Sequence, residues 1–588
     1  MSGRVAEIRR IIGRNNIAAN IGDLYRTWNN QRSEWLSEQE ELREFLFATD
    51  TKNTTNNALP WKNTTVVPKL CQIRDNLHAN YMAALFPNDD WLRWEAYTQD
   101  SNLKEKRDAI QAYIGNKARE SGFRETISDL LYDYIDSGNP IADVIYVNET
   151  RRDPLTGEEI PGYIGPKVVR ISPLDHVFNP TAVSYDKSPK ITRYIKSVAE
   201  LMLEAEERPD LNYNRNVLKK LMNVRRELGH YDESDVVKAA GYNVDGFGNL
   251  YEYYQSDYVE ILEFEGDLFD RETGELLKNK IITVVDRADV LRQEDNPSWI
   301  SGSLKSKGSW RKRPDTLWAM GPLNNLVGMQ YRINHLENAK ADALDLMIQP
   351  PLKIKGDVEE FDWEPFAEVF LGDDGDIDIL KIDSTALNFD SQIVQLELKM
   401  EEFAGAPKQA MGFRTPGEKT AFEVQSLENA ASRIFQHKIA QFELFMEEIL
   451  NKMLEVSRRN LNNKDLIRVM DDDLGVESFM EVTRDDITAR GKIRPIGARY
   501  FAARAQMVQN LTGISNTPIW QQITPHVSSK RLATYVEDML GWGRFDLVQD
   551  NVAIMEQAET QRLINQAQED LSMEAGISPE EEPPLENI

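Results

Sequence analysis

The sequence predicts an elongated, predominantly helical protein of the α+β class. Apolar residues recur every three to four positions through residues 23–137 and again from about residue 320, which is the period of an amphipathic helix. Between residues 141 and 300, β-branched and aromatic residues alternate or cluster in short runs, as in strands. A small strand-forming stretch then separates two long helical segments. This order favours an elongated subunit over a globular enzyme core.

Length and charge limit the class of protein. The 588 residues exceed what one compact domain needs, so we expect roughly two to four structural modules. The chain carries 97 acidic and 69 basic residues, a formal net charge of −28. Such a surface repels nucleic acid at long range and disfavours a tight DNA binder. A conduit along which DNA slides and a soluble protein with an acidic surface both remain open.

Cysteine content and hydropathy indicate where the protein is assembled. Cys71 is the single cysteine, so no intrachain disulfide is possible and a disulfide-stapled secreted fold is excluded. Residues 5–12 are too short and too charged for the apolar core of a signal peptide. No stretch approaches the roughly 18 apolar residues that a membrane span requires. We therefore expect a reducing cytoplasm and no membrane partner.

The N-terminal region is predicted to be helical, apart from a polar loop at residues 49–60. Residues 23–47 form one expected amphipathic helix, and residues 70–85 form a second that ends before Pro87. A third runs over residues 103–137 and stops at Gly138-Asn139-Pro140. The tryptophan pairs Trp28/Trp35 and Trp91/Trp94 are interpreted as core or subunit-interface aromatics.

The middle region is predicted to mix strands with helices. Strands are expected at residues 141–148, 163–171 and 258–264, and helices at residues 197–207 and 214–228. Two turns of similar composition, Asp153-Pro-Leu-Thr-Gly-Glu and Asp270-Arg-Glu-Thr-Gly-Glu, predict hairpins in which Gly157 and Gly274 take a left-handed conformation. Residues 299–314 are interpreted as an exposed flexible loop, with an anion site as the alternative; the loop holds the basic residues Lys305, Lys307, Arg311, Lys312 and Arg313.

The segment after residue 320 is the most informative. It predicts a helix at 323–347, a strand-forming module at 349–390, a helix at 390–403, a Gly/Pro loop at 404–417 and a helix at 419–459. The last helix has a predicted apolar stripe of Leu427, Ala431, Ile434, Phe442, Met446, Ile449 and Met453. Residues 485–573 are expected to be helical, and the acidic end at 574–588 disordered.

This order of elements resembles the portal, or head–tail connector, proteins of tailed bacteriophages. The resemblance is carried by Gly321-Pro-Leu-Asn-Asn-Leu before a long helix, by Glu402-Phe-Ala-Gly-Ala-Pro-Lys-Gln-Ala-Met-Gly, and by Gly417-Glu-Lys-Thr-Ala-Phe-Glu-Val-Gln. Pro87-Asn-Asp-Asp-Trp after a helix is also similar to a portal wing. The match covers roughly residues 320–460, and the order of elements carries it more than any one motif.

The resemblance implies a domain organisation. In portal terms, the parts are a wing and body at 1–320 (α+β from about 141), a first stem helix at 321–348, a clip at 349–388, a second stem helix at 389–404, a tunnel loop at 405–418, a long wing helix with following strands at 419–485, a C-terminal helical crown at 486–572 and an acidic tail at 573–588.

The resemblance also implies a function. Portals form a ring of about twelve subunits at one capsid vertex, through which double-stranded DNA passes without sequence specificity during packaging and ejection. The implied partners are the terminase, head–tail adaptor or tail proteins, and capsid and scaffold proteins. The implied location is the virion, after assembly in the host cytoplasm.

Two groups of site residues are implied. The tunnel loop would bring Lys408, Gln409, Arg414 and Lys419 to the DNA, where its cations act as point charges on phosphates. The alternative is an ordinary surface loop. The implied partner-binding residues of the clip are Lys353, Lys355, Asp357, Trp363, Asp373 and Asp374.

Motifs typical of enzymes are incomplete. Residues 412–420 approximate a nucleotide-binding loop, but Glu418 displaces Lys419 from its register and Pro416 removes a backbone N–H. Residues 372–378 lack the spacing of a calcium loop and are interpreted as a solvated acidic turn, and the six histidines show no ligand spacing. We therefore predict no enzymatic activity and no cofactor. The alternatives are another head–tail adaptor or scaffold protein, or a metal-dependent nuclease that uses the acidic residues at 372–378 or 471–473, among them Asp376 and Asp472.

Overall fold

A computed structural model describes the fold. It covers residues 16–47, 62–87, 91–97, 103–152, 159–208, 211–228, 258–270, 273–298, 303–348, 350–356, 370, 372, 374–379, 389–404, 421–461, 464–471, 476–488, 490–497, 528, 532–533 and 562. The chain forms two compact units, Met1–Ile496 and Gly497–Ile588. In the second unit only scattered residues are described, so all the elements below belong to the first unit.

Helices dominate the N-terminal region, as predicted. They are α1 (Asn16–Gln31), α2 (Ser33–Leu46), α3 (Lys69–Leu85), α4 (Leu103–Glu120) and α5 (Phe123–Asp136), with the short strand β1 (Leu92–Ala96) between α3 and α4. Their apolar faces meet in the main core, where Leu77, Ile110 and Leu130 are fully buried. Trp28, Trp35 and Trp94 are also buried, which confirms their assignment to apolar packing.

The single helix predicted at residues 23–47 is wrong, because the chain breaks at Arg32. This arginine is buried, and its guanidinium donates to the carbonyls of Pro173 at 2.6 Å and His176 at 2.9 Å, and to that of Leu174. Three backbone acceptors more than 140 residues further along the chain therefore fix the junction of α1 and α2. The spacing of apolar residues within the helix does not reveal such a long-range contact.

The single helix predicted at residues 103–137 is likewise two helices. Gly122, between α4 and α5, has φ +70°, a left-handed conformation that interrupts a right-handed helix. The predicted stop after residue 137 is confirmed, since α5 ends at Asp136.

Two antiparallel sheets follow. The three-stranded sheet has the order β3–β2–β9 and the five-stranded sheet the order β4–β5–β6–β7–β8. Their strands are β2 (Ile141–Arg152), β3 (Glu159–Ile171), β4 (His176–Phe178), β5 (Lys190–Ser197), β6 (Tyr258–Phe269), β7 (Leu276–Val285), β8 (Asp289–Asp295) and β9 (Ser306–Lys307). One face of the larger sheet packs against α1 through Ile21, Leu262 and Ile282.

Both predicted hairpins are confirmed. Strands β2 and β3 pair antiparallel, with Ile141 opposite Ile171. Strands β6 and β7 also pair antiparallel, and their pairing ends with Phe269 opposite Leu276. Gly274 has φ +72°, the left-handed conformation expected for it. Gly157 lies outside the described residues.

The two predicted helices between the hairpins are also present, as α6 (Val198–Glu207) and α7 (Arg215–Leu228). Helix α6 begins at a capping box in which the Ser197 hydroxyl accepts from the Glu200 amide and the Glu200 carboxylate accepts from the Ser197 amide.

The prediction of an exposed flexible loop at residues 299–314 is wrong for residues 303–310, which are buried or half-buried. Lys305 is only 2% exposed, and its ammonium lies 2.5 Å from Glu263 Oε1 and 3.4 Å from Glu265 Oε2. These carboxylates hold the pKa of Lys305 well above its ordinary value, because they outweigh the effect of burial. Residues beyond Trp310 form a second small hairpin, β10 (Arg311–Arg313) with β11 (Thr316–Met320), whose basic residues are exposed.

The long helices after residue 320 lie close to their predicted positions. They are α8 (Val327–Ile348), α9 (Asp390–Ala404) and α10 (Ala421–Asn460), with the two-stranded hairpin β12 (Leu352–Lys355) and β13 (Asp376–Ile379) between α8 and α9. In the predicted stripe of α10, Phe442, Met446, Ile449 and Met453 are fully buried, whereas Ile434 is exposed. Leu427 and Ala431 belong to the part of α10 whose side chains are not described.

The expectation that residues 485–573 are helical is wrong at its start. After the hairpin β14 (Lys464–Asp471) and β15 (Val476–Thr483), a short helix α11 (Arg484–Ile487) leads into the strand β16 (Gly491–Pro495). This strand pairs with β1, with Ile493 opposite Trp94 and both buried. Neither strand could be predicted from its own stretch of sequence, because each pairs with a strand about 400 residues away.

These elements confirm the predicted α+β class with a helical majority in the described part of the chain. None of its helices has the length and apolarity needed to cross a bilayer.

Candidate functional site

The candidate site is built on helix α8 and its partner α9. At 1.5 Å per residue, the 22 residues of α8 extend about 33 Å. Its buried residues all lie between Val327 and Asn338, and residues 344–348 are exposed. Helix α8 is therefore anchored in the core at its start and leaves it toward its end.

Helix α9 returns alongside α8. Lys340 of α8 donates to Asp390 at the start of α9 at 2.5 Å, and this contact raises the pKa of Lys340. At the other end of α9, Met400 and Ala404 join the main core. There Glu401 forms a buried ion pair with Lys69 of α3 at 2.6 Å. Helix α9 is thus fastened at both ends.

A segment that precedes α3 runs along α8. We call residues 62–68 the strap. The amides of Asn63, Thr65 and Val67 donate to Asp342 at 2.9 Å, Asn338 at 2.8 Å and Asn334 at 3.1 Å, respectively. Four helical residues rise about 6 Å and two extended residues about 6.6 Å, so the i, i+4 positions of the helix match alternate amides of the strap. The strap runs antiparallel to α8.

The helix side chains also donate back to the strap. The Asn338 amide donates to the Thr65 carbonyl at 3.1 Å, and the Gln330 amide donates to the Val67 carbonyl at 2.5 Å. Gln330 further accepts from the Leu70 amide at 3.1 Å and donates to Asn334 at 2.9 Å. We call Gln330, Asn334, Asn338 and Asp342 the polar ladder of α8.

Sequence reasoning missed the polar ladder and the strap. The signal was present: four hydrogen-bonding side chains recur at intervals of four on a helix otherwise expected to bury apolar residues. Buried polar side chains need partners, and here the partner is backbone, which has no residue signature.

The hairpin β12–β13 carries part of the predicted clip site. Lys353 pairs in register with Asp378 and Lys355 with Asp376, so opposite charges face each other across the strands. Lys353, Lys355 and Asp374 are exposed. Gly356, with φ +82°, passes so close to the Asp374 carbonyl that a side chain would collide with it. The other predicted clip residues, Asp357, Trp363 and Asp373, lie outside the described residues.

The four predicted tunnel-loop residues, Lys408, Gln409, Arg414 and Lys419, also lie outside the described residues. Helix α9 ends at Ala404 and α10 begins at Ala421, so the described helices flank this stretch on both sides.

Exposed apolar side chains concentrate on α8, α9 and the segment between them. Nearly half of the large apolar side chains exposed in the described residues lie between residues 331 and 403. Ile348, at 81% exposure, is the extreme on α8. The others are Tyr331, Leu344, Leu346, Met347, Ile354, Phe370, Ile379, Val394, Leu398 and Phe403. We call this set the apolar projection; exposed apolar side chains grouped in this way mark interaction sites.

Among the described residues, no group of three or more His, Cys, Asp or Glu side chains is placed to hold a metal ion. Asp376 and Asp378 each face a lysine across the hairpin, and Asp472 lies outside the described residues.

Neither the family models nor the curated proteins compared with this sequence match it. The function of the site is therefore argued from its geometry and charge.

Proposed function

We propose that the protein is the portal subunit of a tailed bacteriophage, which assembles into a ring that conducts double-stranded DNA into and out of the capsid. The observation that carries the proposal is the apolar projection on the paired helices α8 and α9 and on the hairpin β12–β13. A monomer gains nothing from an apolar surface on a projecting helix pair, whereas a ring buries it between neighbouring copies.

Charge supports the same proposal. Residues 357–402 contain fifteen acidic and two basic residues, so the module and returning helix are strongly negative. A wall of this sign repels phosphates and lets a duplex slide without adhering. In the proposed ring, α8 and α9 are the stem helices, residues 349–388 the clip, and residues 405–418 the tunnel loop.

The proposed partners follow from the same assignment. The clip, with Lys353, Lys355 and Asp374 on its surface, would bind the terminase during packaging and the head–tail adaptor or tail proteins afterwards. Capsid and scaffold proteins would surround the ring in the virion. The proposed role is passage of DNA, with no chemical step and no cofactor.

Ring formation is tested by negative-stain electron microscopy of the purified protein, with mass photometry alongside. We expect particles of about twelve subunits with a central hole wide enough for a duplex. A small closed oligomer without a channel contradicts the proposal.

A pair of matched variants links the ring to the apolar projection. Leu346→Ser with Ile348→Ser removes two exposed apolar side chains of α8 and should shift the protein toward monomer. Val183→Ser with Leu276→Ser removes two exposed apolar side chains elsewhere and should leave assembly unchanged. Equal behaviour of the two variants would exclude the projection as the assembly surface.

A further inference from the structure

The hairpin β10–β11 presents a basic patch. Arg311, Lys312 and Arg313 follow one another and are all exposed. A register shift between Arg311 and Arg313 places an irregularity at Lys312, so the strand does not turn one cation inward. Within the described residues, none of the three forms an ion pair, and the acidic Asp315 of the turn pairs with none of them.

The patch is held rigidly. The Trp310 amide donates to the Gly138 carbonyl at 3.0 Å, and the Ala319 amide donates to Asn139 Oδ1 at 2.8 Å. Asn139 in turn donates to the Ala319 carbonyl at 2.9 Å. The residue before β10 and a residue of β11 are therefore both hydrogen-bonded to the turn after α5, which holds the backbone that carries the cations.

Helix α10 adds a fourth cation. Trp310 is buried, and the Lys438 ammonium lies 4.4 Å from its ring centroid while the Arg311 guanidinium lies 5.1 Å from it. Burial and the neighbouring Arg311 lower the pKa of Lys438 to about 8. Burial and Lys312 likewise lower the pKa of Lys307, beneath the hairpin, to about 7. The cations here crowd one another without a balancing carboxylate, in a chain whose net charge is −28.

We propose that Arg311, Lys312, Arg313 and Lys438 form a binding site for the phosphodiester backbone of duplex DNA, without sequence specificity. An acidic protein is the other polyanion to consider, but a stable protein interface needs an apolar centre. No large apolar side chain between Ser303 and Met320 is exposed, so the hairpin offers charge alone. Charge alone is what phosphate binding requires. The site is separate from the proposed tunnel loop, and the proposal does not depend on ring formation.

The test is binding of the full-length protein to a fluorescent 30-base-pair duplex of random sequence, followed by anisotropy between about 50 and 200 mM NaCl. In the variant Arg311→Gln, Lys312→Gln, Arg313→Gln, we expect affinity at low salt to fall about tenfold or more. The slope of log K against log salt should become shallower by about 3, close to one unit for each phosphate contact. Arg311→Lys with Arg313→Lys keeps the charge and should keep the slope.

The control variant Arg119→Gln, Lys187→Gln, Lys278→Gln removes three exposed cations outside the patch and changes the net charge equally. Equal loss in both triple variants would show a diffuse charge effect and overturn the site. Absence of DNA binding by the wild type at 50 mM salt would overturn it as well. Displacement of DNA by polyglutamate as readily as by unlabelled DNA at equal charge would point to an acidic protein instead. Mass photometry of the same samples reports ring assembly separately, so failure of this site is distinguishable from failure of the portal proposal.

Discussion

Asn338 and Thr65, 273 residues apart, exchange two hydrogen bonds: the Thr65 amide donates to Asn338 Oδ1 at 2.8 Å, and the Asn338 amide donates to the Thr65 carbonyl at 3.1 Å. A side-chain amide thus replaces the neighbouring strand that an extended backbone normally requires. The strap owes its place on α8 to this exchange and to its neighbours in the polar ladder.

Asn338→Ala should loosen the strap. The substitution leaves the Thr65 amide and carbonyl without their partners, at a cost of about 2 kcal/mol for the local opening. We expect the amides of Thr65 and Val67 to exchange hydrogen about thirtyfold faster, measured by hydrogen–deuterium exchange. Gln395→Ala, at an exposed position of α9, is the control and should leave the exchange unchanged. Unaltered protection in Asn338→Ala would mean that the ladder does not hold the strap.

The buried pair of Lys69 and Glu401 should respond differently to one substitution than to two. Glu401→Ala leaves the buried Lys69 ammonium without a counter-ion and with only the Gln72 side-chain oxygen as a partner, at 3.1 Å. We expect a loss of about 3–5 kcal/mol in the free energy of unfolding. Lys69→Met with Glu401→Met removes both charges and should recover most of that loss. Chemical denaturation followed by tryptophan fluorescence measures both.

The exposed pair of Lys167 and Glu149 serves as the control for this prediction, because both side chains are at least 39% exposed. Glu149→Ala should cost less than about 1 kcal/mol. If the double variant is no more stable than Glu401→Ala, the ion pair stabilises the fold by more than the cancelling of its two charges.

Two glycines with the same backbone conformation should differ sharply on substitution. Gly138 and Gly274 both have φ +72°, so alanine costs about 1 kcal/mol at either site through the left-handed conformation alone. A side chain at Gly138 would also collide with the backbone of Met320 and Gly321, whereas nothing lies within 4 Å at Gly274. We expect Gly138→Ala to be the more destabilising by at least 2 kcal/mol, measured by the shift in denaturant midpoint. Equal costs would contradict the close approach.

Asp143 should make stability depend on pH. Burial raises its pKa to about 6 from an ordinary value of 3.8, in spite of the nearby Lys305. The folded state therefore binds this proton more tightly than the unfolded state, and stability is lost as the pH rises from about 4 to about 6. Asp143→Asn lacks this loss. The free energy of unfolding of the variant, relative to that of the wild type, should therefore rise by about 1–3 kcal/mol across that window and stay constant above it.

Denaturation midpoints of both proteins at pH 4.5, 5.5 and 7.5 check this prediction. Only the difference between variant and wild type is compared, because other groups titrate in the same range. A constant difference across the three values would mean that Asp143 keeps the same pKa in both states.

Helices and hairpins were predictable where their cause is local. Helix α8 was expected at residues 323–347 and is found at Val327–Ile348; α9 was expected at residues 390–403 and is found at Asp390–Ala404. Long apolar periods bounded by proline and glycine carry this information within a few turns of chain. The glycine turn at Gly274 was predictable for the same reason, since a left-handed residue is a local requirement.

The features that sequence reasoning misplaced depend on distant partners. The break at Arg32 needs three carbonyls some 140 residues away, and the pairing of β1 with β16 joins Trp94 to Ile493. Lys305 and Arg311 both lie in the basic stretch at residues 299–314, yet Lys305 is buried beside two glutamates and Arg311 is exposed. Two residues of the same charge in one stretch of sequence thus lie in opposite environments.

The amino-acid sequence by itself determined the α+β class, the order of a long helix, a small β module and a returning helix, and the acidic character of that region. Only the tertiary structure decided which polar residues of α8 bind the strap, which cations are neutralised and which apolar residues stay exposed. The reason is physical. Periodicity and turn chemistry act between neighbours in the chain, whereas burial and charge pairing depend on what the fold brings within a few ångströms.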